Sequence, residues 1–229
     1  GALVVVDGVC AAGGIGVRCD EWGVDMYLAA SQKAISVPPG LAICWASDRA
    51  LDVVRKRAKP VSNFFCDALN WLPVMQGMEA RKIAYFATPP INLICGLHES
   101  LKQILAETMN KRIARHATLS RAFKAGVEAL GLKQVVARPE IAAPTLTCAY
   151  LPDGVDGAFV QRVRALGVTI THGLHPKAKP YFRVGHMGTV TANDIFATLG
   201  ATENVLLSLE HDMTPGAGLG AAAKTLAEA

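Results

Sequence analysis

The stretch that decides the fold of this chain is AASQKA, residues 29–34, in which Lys33 stands among small and uncharged residues. Upstream, residues 2–9 read ALVVVDGV, a short apolar run that reaches Asp7 and is typical of a central parallel strand covered on both faces. A second strand-like run, residues 24–28, leads to Lys33, and the turn residues PPG follow at 38–40. The pattern predicts two strands whose ends carry an acid and a lysine.

Lys33 and Asp7 together suit one kind of cofactor chemistry. An ammonium group is costly to bury unless it is paired or neutralised, and desolvation favours the free, nucleophilic amine. A lysine that forms a Schiff base and a carboxylate that pairs with a protonated pyridine nitrogen are what pyridoxal phosphate (PLP) requires. The alternatives from the residues alone are a solvated surface lysine and a turn acid at the end of a strand.

Composition and charge exclude several classes of protein. The 229 residues are 51% hydrophobic and 18% charged, which indicates a globular protein with a sizeable core rather than a disordered one. The net charge is only +4, and the basic patch at 55–59 is interpreted as a solvated helix end, so no nucleic-acid partner is expected. No apolar run reaches the length of a membrane helix, and no membrane association is expected.

The cysteines indicate the compartment. Six cysteines are widely spaced, and no Cys-x-x-Cys pair occurs, so neither a zinc site nor a redox dithiol is predicted. Free thiols point to a reducing, intracellular location, with cytoplasm, peroxisome and mitochondrion left open. The C-terminal residues are not a peroxisomal signal of the Ser-Lys-Leu type. Because the sequence starts at Gly1 directly in a strand-like run, we expect it to be the later part of a longer protein.

Strands and helices alternate along the first part of the chain, which indicates an α/β architecture. Ser47 is expected to cap a helix over 48–56, and a helix over 70–80 would place Pro73 in its first turn. After Gly131 the pattern changes to a small α+β unit, in which Thr191 is expected to cap a helix that runs to 209. We predict domains at 1–107 and 108–229, with a Gly/Ala-rich tail from about 213 that is frayed or weakly helical. The other predicted strands are 3–6, 24–28, 41–46, 135–136, 145–150, 168–171 and 181–184. The other predicted helices are one from 91 onward, one over 110–130 and one over 155–166.

Several motifs in sequence order resemble one enzyme family. The runs DEWGVD at 20–25, SQK at 31–33 and PPG at 38–40 are similar to those of class V, fold-type I PLP-dependent aminotransferases. The resemblance is greatest to the alanine–glyoxylate, serine–glyoxylate and serine–pyruvate branch, and it covers nearly the whole chain but only the later half of a family member. It implies the later part of a fold-type I large domain followed by a small α+β C-terminal domain.

The resemblance also implies roles for particular residues. Lys33 corresponds to the Schiff-base lysine and general base, and Asp7 to the partner of the pyridine nitrogen. Gln32 corresponds to a residue near the cofactor phosphate. Tyr85 and Thr88 correspond to a pair that reaches the phosphate bound by the neighbouring subunit, which implies a homodimer with shared active sites.

Arg183 lies in the apolar run YFRVG, residues 181–185, where a charge requires a partner. Its planar guanidinium suits two-point contact with a carboxylate, and the resemblance places the substrate-carboxylate arginine here. A salt bridge within the protein is the alternative. His186 could lie near the substrate or serve packing. His172 and His175 are not expected to bind a metal, because Gly173 and Pro176 disfavour one helical face.

Three functions follow from these observations. The first is transamination of a small amino acid, alanine or serine, with glyoxylate or pyruvate. The second is a truncated, non-catalytic fragment or dimerisation partner, because the Gly-rich phosphate loop and the ring-stacking aromatic of the family are missing from these residues. The third is a class V lyase such as a cysteine desulfurase, which Gln32 disfavours because such enzymes typically carry histidine at that position.

Overall fold

The computed structural model describes residues 1–174 and 179–228 as two compact units. Unit 1 comprises Gly1–Ala12 and Val17–Gln103, and unit 2 comprises Gly13–Gly16 and Ile104–Ala229. The boundary falls inside a helix, between Gln103 and Ile104, and residues 13–16 belong with the second unit although they follow the first strand. Each unit carries its own three-stranded sheet.

The sheet of unit 1 consists of β1 (Val5–Asp7), β2 (Met26–Ala30) and β3 (Ala42–Ala46), in that spatial order. β1 pairs with β2 in parallel, and β3 pairs with β2 antiparallel. The three predicted strands are therefore confirmed, and the central position of the first stays a prediction. β2 is the only strand neighbour of β1 among the described residues, and Val5 is 58% exposed.

Unit 1 also contains α1 (Asp48–Arg55), α2 (Ala68–Glu79) and a 3-10 turn at Phe64–Cys66. The helix α3 (Ile91–Glu107) begins in unit 1 and ends in unit 2. The predicted cap of α1 is confirmed, because Ser47 Oγ accepts a hydrogen bond from the Ala50 amide at 3.1 Å. The prediction that Pro73 lies in the first turn of α2 is wrong. Asp67 Oδ1 accepts from the Leu69 amide at 3.0 Å, so the helix begins earlier and Pro73 lies in its interior.

A buried aspartate lies at the amino ends of β1 and β2. Asp25 accepts hydrogen bonds from the Val4 amide at 2.8 Å, the Ser47 hydroxyl at 3.0 Å and Arg49 Nε at 2.8 Å. The Arg49 guanidinium, followed by the Val4 amide, lowers the pKa of Asp25 to about 2. The carboxylate thus joins β1, β2 and the start of α1 and fixes the register in which β1 meets β2.

Unit 2 has an antiparallel sheet with helices packed against it. The strands are β4 (Leu146–Tyr150), β5 (Thr171–His172) and β6 (Tyr181–Gly185), with β6 in the middle. The helices are α4 (Met109–Ala129), α5 (Ala158–Ala165), α6 (Ala192–Ser208) and α7 (Ala217–Ala227), with a 3-10 turn at Pro139–Ile141. Phe123, Phe159 and Phe182 are fully buried at the centre of one continuous core.

Three local predictions for unit 2 are corrected by the structure. Residues 135–136 form no strand, and only an isolated bridge joins Gln134 to Ala149. The predicted strand at 168–171 is reduced to β5, which begins at Thr171. Helix α5 begins at Ala158 rather than 155, because Asp156 Oδ1 accepts from the Ala158 amide at 2.8 Å.

The Gly/Ala-rich tail forms a packed helix and does not fray. Glu203, buried on α6, accepts hydrogen bonds from the amides of Gly216 and Leu219 at the start of α7, at 2.8 and 3.0 Å. A Cβ atom on Gly126 would lie 3.0 Å from the Gly218 carbonyl, so the absence of side chains lets α4 and α7 approach closely. Within the described residues, no helix is both long and apolar enough to cross a membrane.

Candidate functional site

Asp7 and Lys33 lie at the same edge of the sheet in unit 1. Asp7 ends β1 and stands opposite Leu28 of the parallel strand β2. Lys33 follows the last residue of β2, Ala30, by three positions. Because parallel strands end at one edge, both side chains belong to the carboxyl edge of this pair, where open α/β sheets bind their ligands.

The backbone around Asp7 is closely packed. Gly8 donates its amide hydrogen to the Leu28 carbonyl at 2.8 Å, and Asp7 Oδ1 accepts from the Val9 amide at 3.0 Å. A Cβ atom on Gly8 would overlap the ring of Tyr27, so only glycine fits beside this ring. Burial raises the pKa of Tyr27, and the nearby Cys19 and Asp7 raise it further, so Tyr27 keeps its proton. The Asp7 carboxylate is therefore presented from a fixed backbone.

Lys33 is half-buried in a turn that is held at both ends. The buried Ser31 donates through Oγ to the Pro38 carbonyl at 2.8 Å and accepts from the Leu41 amide at 3.3 Å. Within the turn, the Ser36 amide donates to the Lys33 carbonyl at 2.9 Å. No residue in 1–174 or 179–228 forms a hydrogen bond or an ion pair with the Lys33 ammonium group. The turn thus fixes the lysine backbone while its amine stays available for reaction.

The remaining predicted residues of unit 1 are exposed. Gln32 is exposed in the turn before Lys33, and its side chain has no hydrogen-bond partner in the described part of the chain. Tyr85 and Thr88 are brought together, with the phenol oxygen 2.8 Å from Thr88 Oγ1, and Tyr85 is 71% exposed. Between them, Phe86 stacks on Phe64 with ring centroids 4.5 Å apart, which anchors this loop.

Arg183 lies on the central strand of unit 2. It pairs with Cys148 on β4 and with Thr171 on β5, and its Nε donates to the His172 carbonyl at 2.8 Å. Among the described residues it forms no ion pair, so the alternative of an internal salt bridge has no support there. The guanidinium is oriented by a backbone contact and keeps donors for a carboxylate ligand.

His186 is fully buried next to this strand. Its Nε2 lies 2.8 Å from Thr147 Oγ1, and its Nδ1 has no hydrogen-bond partner in the described residues. Burial, with a smaller contribution from the nearby Lys124, lowers the pKa of His186 to about 4, so the ring is neutral near neutral pH. His186 is therefore a packing residue next to β6, and its side chain is not accessible to solvent.

The sequence reasoning did not identify a cluster of polar side chains in unit 2. Glu107, at the end of α3, accepts hydrogen bonds from Arg112 Nη1 at 2.9 Å and from Arg115 Nε at 2.6 Å. Arg115, then Arg112, lowers the pKa of Glu107 to about 2 against the effect of burial. The signal that could have identified it is the set of charges at 107, 112 and 115 inside a helical stretch, next to His116.

The structure gives no support for a metal site. Within the described ranges, no group of three or more His, Cys, Asp or Glu side chains is placed to hold a metal ion. His172 is exposed on β5, whereas His175, the other member of the pair considered above, lies outside the described residues.

Comparison with known proteins gives consistent results. The family model for class-V aminotransferases matches residues 1–196. Alanine–glyoxylate aminotransferase 1 of Saccharomyces cerevisiae is 41% identical over 194 residues, which are 82% of this chain and 50% of that protein. Serine–glyoxylate aminotransferase of Arabidopsis thaliana is 34% identical over 227 residues, 98% of this chain and 55% of that protein.

A solved structure extends the agreement to the fold. The pyridoxamine–pyruvate aminotransferase of Mesorhizobium loti superimposes with a TM-score of 0.90 at 30% identity, over 100% of this chain and 58% of that one. The chain spans about half the length of the curated relatives it matches. With a fold-type I architecture, a lysine and an acid at one sheet edge and this family match over most of its length, the chain belongs to the class-V aminotransferases.

Proposed function

We propose that the protein containing this chain is a PLP-dependent aminotransferase that transfers the amino group of a small amino acid, alanine or serine, to glyoxylate or pyruvate. The observation that carries the proposal is the half-buried Lys33, without a partner in the described residues, at the sheet edge that also presents Asp7. The names of the relatives, which are alanine–glyoxylate and serine–glyoxylate aminotransferases, support the substrate class.

The residues at this edge fit PLP. An amine held by its backbone suits the carbonyl carbon of the cofactor, and the carboxylate of Asp7 suits the protonated pyridine nitrogen. When bound, PLP supplies an electron sink for the electron pair left at the substrate Cα. Lys33 Nζ takes the proton from Cα and later returns a proton, first as general base and then as general acid. Asp7 keeps the ring nitrogen protonated.

Arg183 is the proposed carboxylate-binding residue. Its Nε is committed to the His172 carbonyl, which fixes the plane of the guanidinium. The terminal nitrogens can then bind the substrate carboxylate in two-point contact, which lysine cannot reproduce. This contact would orient the amino acid through its carboxylate.

The proposal includes a homodimer with shared active sites. Gln32 would contact the phosphate bound within its own subunit, whereas Tyr85 and Thr88 would reach the phosphate of the neighbouring one. The exposure of Tyr85 and its hydrogen bond to Thr88 support this role, because the pair presents two hydroxyl groups outward. Nearby exposed apolar side chains, including Ile83 and Phe65, offer surface that a second copy could cover.

A reducing compartment inside the cell is part of the proposal. Five cysteines of the described residues are free thiols, namely Cys19, Cys44, Cys66, Cys95 and Cys148. Free thiols persist where glutathione and thioredoxin keep them reduced.

The test of this function starts with the full-length protein that carries this chain. After addition of PLP, we expect a visible absorbance band, and borohydride reduction should leave the cofactor covalently on Lys33, as peptide mass spectrometry would show. Lys33→Ala should abolish this label and lower transamination of L-alanine with glyoxylate by at least about a thousandfold. Lys56→Ala, at an exposed position after α1, is the matched control and should behave as wild type.

Other outcomes would favour the other functions. A full-length protein that neither binds PLP nor transaminates would contradict the proposal and support a non-catalytic role. Release of sulfur from cysteine without transamination would support the lyase. If the 229-residue chain alone remains colourless while the full-length protein is active, the chain by itself is a fragment of the active enzyme.

A further inference from the structure

A cluster of four polar side chains in unit 2 is not used by the proposed chemistry. It consists of Glu107, Arg112, Arg115 and His116, at the end of α3 and the start of α4, and we call it the clamp cluster. His116 is fully buried, and Arg112 is 3% exposed. Charged groups at such positions are costly unless each finds partners, so their contacts indicate what the cluster does.

The clamp cluster binds the backbone of one loop. Arg115 Nη1 donates to the Val190 carbonyl at 2.9 Å, and Nη2 donates to the Gly188 carbonyl, also at 2.9 Å. His116 Nε2 accepts a hydrogen bond from the Gly188 amide at 2.8 Å. Three hydrogen bonds therefore hold both polar groups of Gly188 and the carbonyl of Val190.

The side chains that hold this loop are themselves held. Glu107 accepts from Arg115 Nε at 2.6 Å and from Nη2 at 3.1 Å, a two-point contact that fixes the plane of the guanidinium. His116 Nδ1 lies 2.7 Å from the Arg112 carbonyl and donates to it, which leaves Nε2 as the acceptor. Burial lowers the pKa of His116, so the neutral ring needed for this arrangement is favoured.

The bound loop directly follows the strand that carries Arg183. β6 ends at Gly185, so Gly188 lies five residues after Arg183. The intervening residue His186 is also held, by the hydrogen bond to Thr147 and by its amide, which donates to the Thr145 carbonyl at 3.1 Å. The clamp cluster thus fixes the position of the β6 end, and a displacement of about 1 Å in a binding group can lower a rate by about a hundredfold.

We propose that Arg115, oriented by Glu107 and assisted by His116, is a positioning residue that acts through residues 188–190 to hold Arg183 in register for a substrate carboxylate. This role rests on the proposed function, in which Arg183 binds that carboxylate. Arg115 itself contacts two carbonyl groups and the carboxylate of Glu107, and it contributes no atom to the substrate.

The experiment compares two substrates that differ only in the carboxylate. In the full-length holoenzyme, Arg115→Ala should raise the KM of L-alanine about tenfold, because Arg183 is no longer held for two-point contact. The KM of L-alaninamide, which lacks the negative charge, should change by less than about twofold. Arg115→Lys keeps the charge and can reach one carbonyl, so it should give an intermediate KM for L-alanine. The matched control is Arg121→Ala, an exposed arginine on the same helix that should leave both KM values unchanged.

The outcomes separate the two proposals. If wild-type protein binds PLP and transaminates but Arg115→Ala weakens both substrates equally, or neither, the positioning role is wrong and the proposed function stands. If the wild type shows no PLP band and no transamination, the proposed function fails and the role of Arg115 falls with it. If Arg115→Ala does not fold, the same comparison of KM values is made on Arg115→Lys, and equal effects on the two substrates would again overturn the positioning role.

Discussion

The two sheets of this molecule have the same number of strands, but the buried apolar clusters packed against them differ greatly in size. In unit 1, the buried apolar cluster at the sheet consists of Val24, Tyr27 and Ala29. In unit 2, the corresponding cluster contains twenty buried residues, among them Phe123 and Phe182. Apolar burial is the main favourable term in folding, so the second unit is stabilised mostly by its own core.

The difference shows how each candidate residue is positioned. Lys33 is placed by hydrogen bonds within its turn, and Asp7 by its pairing with β2 and the bond from the Val9 amide. Arg183 is placed by a strand whose neighbour Phe182 is fully buried and by the clamp cluster beyond it. Local contacts therefore set the geometry of the lysine, whereas the whole core of unit 2 sets the geometry of the arginine.

The largest expected effect comes from breaking the core of unit 2. Phe182→Ala should lower the free energy of unfolding by about 3–5 kcal/mol, because it leaves a cavity among buried side chains. The comparison change in unit 1, Val53→Ala, shortens a side chain that is 46% exposed on α1 and should cost less than about 1 kcal/mol. Urea unfolding followed by circular dichroism at the helix band measures both.

Tryptophan fluorescence sharpens this test. The three tryptophans, Trp22, Trp45 and Trp71, all lie in unit 1. Phe182→Ala should therefore shift the circular dichroism transition more than the fluorescence transition. An equal shift of both would contradict the view that unit 2 is stabilised mostly by its own core.

A smaller effect is expected on the pH dependence of the free energy of unfolding, to which the buried His186 contributes. His186 has a pKa of about 4 when folded, against 6.5 for the unperturbed group. Between these values the unfolded chain binds more protons, so the free energy of unfolding falls as the pH drops from 6.5 to 4. The total contribution is on the order of 3 kcal/mol.

His186→Gln removes this contribution while an amide can still bond to Thr147 Oγ1. As the pH falls from 6.5 to 4, wild type should lose stability relative to the variant, because only wild type carries His186. Urea titrations at several pH values measure this change. His116, whose pKa is also lowered, is present in both proteins. A difference independent of pH would show that His186 is not held neutral by burial.

The smallest expected effect is the loss of a helix-capping hydroxyl, which should lower the free energy of unfolding equally in both units. Ser47→Ala removes the hydroxyl that accepts from the Ala50 amide at the start of α1. Thr191→Ala removes the hydroxyl that donates to Asp194 at 2.8 Å at the start of α6. Each should cost about 1 kcal/mol, because a helix cap acts within one turn and does not depend on the surrounding core. A much larger loss at Thr191 than at Ser47 in urea titrations would contradict this.

The features that the sequence predicted well are local ones. The caps at Ser47 and Thr191 depend on residues a few positions away, and the start of each helix follows from them. The motifs around Lys33 and Asp7 identified the family because their order and spacing are specific. The roles of the site residues remain predictions, namely those of Lys33, Asp7, Gln32, Tyr85, Thr88 and Arg183.

The features that the sequence did not predict depend on distant contacts. The bonds from Arg115 to the carbonyls of Gly188 and Val190 join residues more than seventy positions apart. Helix α7 shows no apolar periodicity, because its glycine and alanine residues let it approach α4 closely without large apolar side chains. Its amino end is held by Glu203, which lies on another helix. Neither arrangement leaves a pattern within a short window of sequence.

The way the clamp cluster holds its loop has an evolutionary consequence. The hydrogen bonds of Arg115 and His116 to this loop all go to main-chain atoms of Gly188 and Val190, and none goes to a side chain. Substitutions at 190 that preserve the backbone path can therefore accumulate without loss of the contact. The selective constraint falls instead on Glu107, Arg115 and His116, so homologous sequences should vary more at 190 than at these three positions.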